Sequence, residues 1–264
     1  MDAGIIPART DLRIADGRIV EIGAGLARCG SGKDPGLGGI SSPSDPLTGD
    51  QFSREEIAIA VEEARRRGTN VMAHAYAPAS ILRCVEAGVR TIEHGNFLDE
   101  TTARAMKAAG AYLVPTLVVY KRVVQHAAEI GISAFHLEKA QAVLENGPRA
   151  IGIAARAGVP IAFGTDLFRA QKEHQSEEFL IRAEVQSHAD IIRSATVIGA
   201  VVVRRADRIG RVKVGYDADL IALDGNPLED LGLFQNQGQA IPLIVQKGRV
   251  RKAAPALPCT GDVR

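Results

Sequence analysis

The sequence predicts an α/β fold in which about four β/α units build a parallel sheet covered by helices, attached to a small β-sandwich-like domain made from both chain ends. Three observations carry this. The order helix, glycine, apolar strand recurs four times, with the glycines at Gly68, Gly88, Gly110 and Gly158, and helices alternating with mostly apolar strands imply a parallel sheet. Both ends of the chain instead show short alternating runs joined by tight-turn pairs, the mark of antiparallel hairpins. Finally, each strand of the repeat carries a polar residue at or near its C-terminal end: His74, His94, Thr116 and Asp166.

Residues 1–27 read as the N-terminal part of the composite β-domain, with "LRIADGRIVEIG" turning at Asp16-Gly17. Residues 28–52 read as a junction and active-site loop. Its stretch "CGSGKDPGLGGISSPSDP" is rich in Gly and Pro, which favours irregular backbone. A phosphate-binding loop is excluded there, because the pattern needs Gly at position 27 and Ser or Thr at 34, where the chain has Ala27 and Asp34.

Residues 53–205 hold the repeat. Ser53 and Glu56 form a capping box at the start of "SREEIAIAVEEARRR". Ile57, Ala60, Val61 and Ala64 share one helical face, and Gly68 ends the helix. The strand "NVMAHA" follows, and then "ILRCVEAG-VRTIEHG", "TARAMKAAG-AYLVPTL" and "IGIAARAG-VPIAFGTD" repeat the order. "DIIRSATVIGAVVVRRADRIG" reads as a helix or two leading to residues 206–264, the C-terminal part of the β-domain. There "ADLIALDGNP" and "PLIVQKGRVRK" are strand patterns, the second turning at Lys247-Gly248.

Composition narrows the function. An apolar fraction of 46% and a charged fraction of 24% allow a packed soluble core. A net charge of +1 gives no reason to expect nucleic acid as a partner. Three cysteines without metal or redox spacing fit a reducing, cytoplasmic compartment. No signal peptide is visible, and no apolar run approaches the ~18 residues of a membrane helix.

The C-terminal edge of the sheet is where chemistry sits in barrel and open α/β folds alike. Two histidines and an aspartate at successive strand ends suit Zn²⁺ or a similar divalent ion, with one position open for water. A bound metal supplies hydroxide near neutral pH, and a carboxylate beside it can take the proton and pass it to a leaving amine. The competing reading of any single strand-end histidine is a hydrogen-bonded structural residue. His126, His136 and His174 fall in helical or loop patterns, and His188 at a helix start.

With these residues in view, "VMAHAYAPASILRCVEAGVRTIEHGNFLDETTARAM", "YLVPTLVVY", "IAFGTDL" and "RIGRVKVGYDADLIALDGNPLEDL" together resemble the metal-dependent amidohydrolase superfamily. The resemblance covers about residues 11–26 and 38–252. It is to the imidazolonepropionase-like and prolidase-like branch, which hydrolyses Xaa-Pro, Xaa-Arg/Lys or N-acyl amino acid substrates. It implies a (β/α)₈-type barrel, one or two zinc or other divalent ions, and a dipeptide or amide substrate. It further implies His74 and His94 as metal ligands, Asp166 as both metal ligand and catalytic acid/base, and Tyr120, placed in a strand, near the substrate carboxylate.

The chain departs from the family at its start. The family opens its barrel with a His-x-His pair on strand one, whereas the first histidine here is His74. A full barrel takes about 250 residues, so the expectation is a partial barrel lacking its N-terminal half. Such an architecture exposes sheet edges, which predicts either association with a second copy or marginal stability. The family also bridges two metals through a carboxylated lysine before a Gly-Gly loop. Lys33 lies five positions before Gly38 and matches that register, but "CGSGKDPGL" lacks the β-branched run of a strand. Two functional readings follow: a metal-dependent amidohydrolase, and a truncated, inactive derivative retaining at most one metal site.

Overall fold

The computed structural model describes residues 27–29, 46–47, 49, 51–167 and 169–255. The expected N-terminal hairpin and Lys33 lie outside them. Four strands form one parallel sheet in the order β1 (Ala27–Cys29), β2 (Val71–Ala75), β3 (Thr91–His94), β4 (Tyr112–Val114). A parallel bridge from Leu113 to Ile161 extends it by one row.

Each unit reflects its sequence. Helix α1 (Arg54–Arg66) starts at the predicted capping box, with Ser53 N–H donating to Glu56 Oε2 at 2.8 Å and Glu56 N–H to Ser53 Oγ at 3.2 Å. Its Ile57 and Ala64 are buried, while Arg65 and Arg66 pair with Glu62 and Arg67 pairs with Glu63 in solvent. Helices α2 (Pro78–Glu86) and α3 (Glu100–Ala109) follow β2 and β3. After β4 come α4 (Leu117–Gln125), a single turn α5 (Ala127–Ile130) and the long α6 (Ala134–Ala157). All four repeat glycines have positive φ, from 66° at Gly110 to 93° at Gly88. This left-handed cap ends a helix and turns the chain into the next strand.

The core lies between sheet and helices, where Ile57, Ile81, Ile92, Met106, Leu113 and Ile151 are almost wholly buried. Beyond Ile161, a short α7 (Glu177–Ala183) precedes one helical run made of α8 (His188–Arg193), a π turn (Ser194–Ile198) and α9 (Gly199–Val202). The chain closes on an antiparallel sheet of β5 (Leu220–Ala222), β6 (Leu243–Gln246) and β7 (Arg249–Ala253). The β6–β7 turn falls at Lys247-Gly248 as expected, both with positive φ (48° and 73°), as two-residue hairpins demand. A second core of Phe163, Phe179, Ile191 and Leu231 joins the two parts. Among the described residues, no helix is long and apolar enough to cross a membrane.

Candidate active site

Parallel register brings the C-terminal ends of β2, β3 and β4 to one edge, with Ala75 opposite His94 and Glu93 opposite Val114. His74 and Tyr76, two apart, point to the same side by strand alternation. His94 ends β3 with φ of 75°, and Thr116 and Asp166 follow their strands with φ of 49° and 52°. Left-handed backbone at a non-glycine residue costs about 1–3 kcal/mol and concentrates at functional sites. Three of the four polar strand ends share it.

These turns converge on His94, which is buried. Its Nε2 lies 2.7 Å from His74 Nδ1. Its Nδ1 is within 2.8 Å of Thr116 Oγ1 and 2.7 Å of the Tyr120 hydroxyl. The Tyr120 hydroxyl is also 2.9 Å from that of Tyr76, whose ring stacks on the His94 imidazole at 4.7 Å. Thr116 precedes α4 and leaves its N-terminus without a side-chain cap, its hydroxyl being on His94 instead. Tyr120 lies one turn further along, so residues i and i+4 of one helix face address the same ring nitrogen.

Tyr120 is therefore helical, which corrects its expected place in a strand. Pro115 offers no N–H to a further ladder bond, so β4 stops at Val114, and the left-handed Thr116 turns the chain into α4. Burial holds His94 well below the usual histidine range, with His74 adding to the shift, so the imidazole is neutral. Burial raises the Tyr120 hydroxyl well above its ordinary value, helped by Tyr76 and the charge of Asp166. His94 and Tyr120 are thus uncharged donors and acceptors, and Asp166 lies exposed at the same edge.

The structure brings His74 and His94 together. It sets Asp166 near enough for its charge to act on Tyr120. Among the described residues, no group of three His, Cys, Asp or Glu forms a metal-holding cluster. Neutral imidazole nitrogens are donors that zinc favours, and His74 and His94 are the two that stand together at this edge. Three of the other four histidines are engaged elsewhere: His174 and His126 with Glu177 and Glu129, at 2.9 Å each, and His188 with the Leu228 carbonyl.

Sequence reasoning missed three residues. Tyr76 had a signal, since it shares the strand face of His74. Glu178 and Arg182 had none: they sit in "EEFLIRA", which reads as an ordinary charged helix, yet both are completely buried. Glu178 Oε2 accepts from Val118 N–H at 2.7 Å, supplying the α4 cap that Thr116 does not. Arg182 donates from Nη1 to the Ala162 carbonyl at 3.1 Å.

A model of the amidohydrolase family matches residues 42–251. The chain is 32% identical over 228 residues to ochratoxinase of Aspergillus niger, a match covering 86% of this chain and 47% of the relative. The structure of that ochratoxinase superposes with a TM-score of 0.76 at 31% identity, covering 89% of this chain and 53% of that one. A prolidase solved with N-methylphosphonate-L-proline superposes with a TM-score of 0.82 at 41% identity, covering 89% and 56%. The chain thus spans about half the length of these relatives. Matching family pattern, parallel α/β architecture and strand-end histidines agree, and the chain belongs to the amidohydrolase family.

Proposed function

We propose that this chain hydrolyses an amide or peptide C–N bond in a small substrate of the Xaa-Pro, Xaa-Arg/Lys or N-acyl amino acid type. The observation that carries the reading is the strand-end cluster of His74 and His94, braced by Tyr120 and Tyr76, with Asp166 on the same edge. Likeness to a prolidase and to ochratoxinase supports the class of bond. The sheet is read as part of an amidohydrolase barrel.

The family generally uses divalent metals. In this chain His74 and His94 would hold such an ion, zinc being the natural choice for imidazole. When bound, it would lower the pKa of a water molecule. The chain's own residues supply the rest. With its proton on Nδ1, His94 would donate to the Tyr120 hydroxyl and accept at Nε2 from His74, the lone pair that would instead ligate a metal, while Tyr120 donates onward to Tyr76. A ligating histidine is oriented by such a partner on its other nitrogen. Asp166 takes a proton from the attacking water and returns it to the leaving amine. Tyr120 is buried with its hydroxyl on His94 and Tyr76, so it would meet a substrate carboxylate only by giving up its bond to Tyr76.

Zinc content and turnover on a panel of Xaa-Pro, Xaa-Arg and N-acyl amino acids test this. Expected are bound zinc that is lost in His94→Ala, and hydrolysis that falls by at least ~100-fold in Asp166→Asn. No turnover with zinc supplied in excess would sink the proposal. One observation favours a second reading, an inactive derivative with a single residual metal site: the chain has no His-x-His pair and spans about half its relatives' length. Zinc binding without hydrolysis of any panel member is the outcome expected of it.

A further inference from the structure

We propose that the buried Glu178–Arg182 pair of α7 is a positioning device that sets the His94–Tyr120 cluster and Asp166 at a fixed spacing. The inference rests on the functional reading above for its consequence, but not for its geometry. Glu178 and Arg182 stand one turn apart on α7, and each side chain is wholly buried. They reach in two directions. Glu178 Oε2 accepts from Val118 N–H at 2.7 Å, and so holds the first turn of α4. That turn follows Thr116 directly and leads to Tyr120, the two residues bonded to His94 Nδ1. Arg182 Nη1 donates to the Ala162 carbonyl at 3.1 Å, on the row that ends four residues later at Asp166. Its guanidinium also lies over the Phe163 ring, 5.4 Å from the centroid, and its Nε donates to Gln186 at 2.8 Å.

One short helix therefore grips the backbone behind both working edges. Leu113 and Ala162 are joined by a ladder bond of 2.8 Å, so the two strands are fixed to each other further back. Nothing in that ladder sets the left-handed turn at Thr116 beyond it, whereas Glu178 holds the chain two residues past that turn, and Arg182 ties the same helix to Ala162, the ladder residue of the row that leads to Asp166. Energetics make a purely structural role a poor account. Burying a carboxylate and a guanidinium is costly, and an apolar pair of similar volume is often neutral or stabilising in its place. Glu178 Oε1 is buried with no hydrogen-bond partner among the described residues, so the site tolerates an unsatisfied oxygen to keep the other on Val118.

The test compares Glu178→Asp with Glu178→Gln. Asp withdraws the carboxylate by one methylene, so Val118 can be reached only if α4 or α7 moves. Gln keeps length and acceptor and removes the charge. The readouts are the ¹⁵N resonances of the His94 imidazole, thermal unfolding, and kcat and KM on the best dipeptide of the panel. Expected for Glu178→Asp are displaced His94 resonances and a kcat lowered ~10–100-fold with KM within about threefold, as for loss of an orienting group. Glu178→Gln should stay close to the wild type in both. His94 resonances and kcat unchanged in a folded Glu178→Asp protein would overturn the proposal, as would a Gln variant as impaired as the Asp one. If the wild type shows no turnover, the functional reading fails, and the His94 resonances still decide the positioning role.

Discussion

His94 is addressed from three sides, by His74 on one ring nitrogen and by Thr116 and Tyr120 on the other, so its orientation is set by neighbours. Glu178, behind this cluster, is the residue whose protonation should be easiest to read in stability. Burial raises its carboxyl from 4.5 to about 7, against the lowering effects of Arg182 and the Val118 and Leu117 amides. Between those values the native protein holds a proton that the unfolded chain has released. The stabilising contribution is therefore fully present below about pH 4.5 and is lost as pH rises through about 7. The melting temperature should fall between about pH 5 and about pH 7.5 by more in the wild type than in Glu178→Gln, measured by calorimetry at both pH values. Sequence made one half of this site legible. The strand-end histidines and Asp166 stand out because a repeat puts polar residues where apolar ones are expected. Glu178 and Arg182 do not, because an i, i+4 charged pair on a helix normally marks the solvated face, and only the chain's path over it buries them.

Among the elements, α6 departs most from what its residues suggest. Pro148 lies well inside it, where its ring would ordinarily break the helix, yet the helix runs for 24 residues. The neighbouring Gly147 explains why this stretch matters, because a Cβ there would collide with the Leu117 side chain, the first residue of α4. The glycine is required by packing, whereas those ending the helices are required by left-handed backbone. Gly147→Ala should cost about 1–3 kcal/mol in denaturant unfolding by overpacking. Gly152→Ala on the same helix, where the added methyl meets only the flexible end of Arg156 at 3.3 Å, should be neutral or stabilise by up to ~1 kcal/mol. The capped start of α1 and the glycine stops were legible, since caps are local chemistry, whereas the start of α4 at Leu117, which has no side-chain cap of its own, was not. The close approach of α6 to α4 was not, because it depends on two residues thirty positions apart.

At the scale of the molecule, the α/β part and the three-stranded sheet meet through aromatic rings. Phe179 stands 4.4 Å from Phe163 on one side and 4.4 Å from Phe234 on the other. Beside them is a cavity of about 250 Å³ that Ile241, Ile244 and Lys252 also line, so the junction is packed on one flank and open on the other. Phe179→Ala should lower stability by about 3 kcal/mol, seen as a lower urea midpoint, and a lowered m-value would report that the two parts had ceased to unfold together. The hairpin character of the C-terminal sheet was readable from its alternation and its Lys-Gly turn. Its docking was not, because the three phenylalanines that form the junction come from three separate segments.

The left-handed backbone at His94, Thr116 and Asp166 has a consequence for how this protein would evolve. Glycine or asparagine adopts that conformation more readily than threonine or aspartate. A laboratory selection that rewards heat resistance alone should therefore gather Gly and Asn at positions 116 and 166. Each such gain would remove the hydroxyl bonded to His94 or the carboxylate proposed to move the proton. Endurance and the proposed hydrolysis would thus be opposed at the same few codons, and Thr116 and Asp166 would persist only where activity is itself under selection.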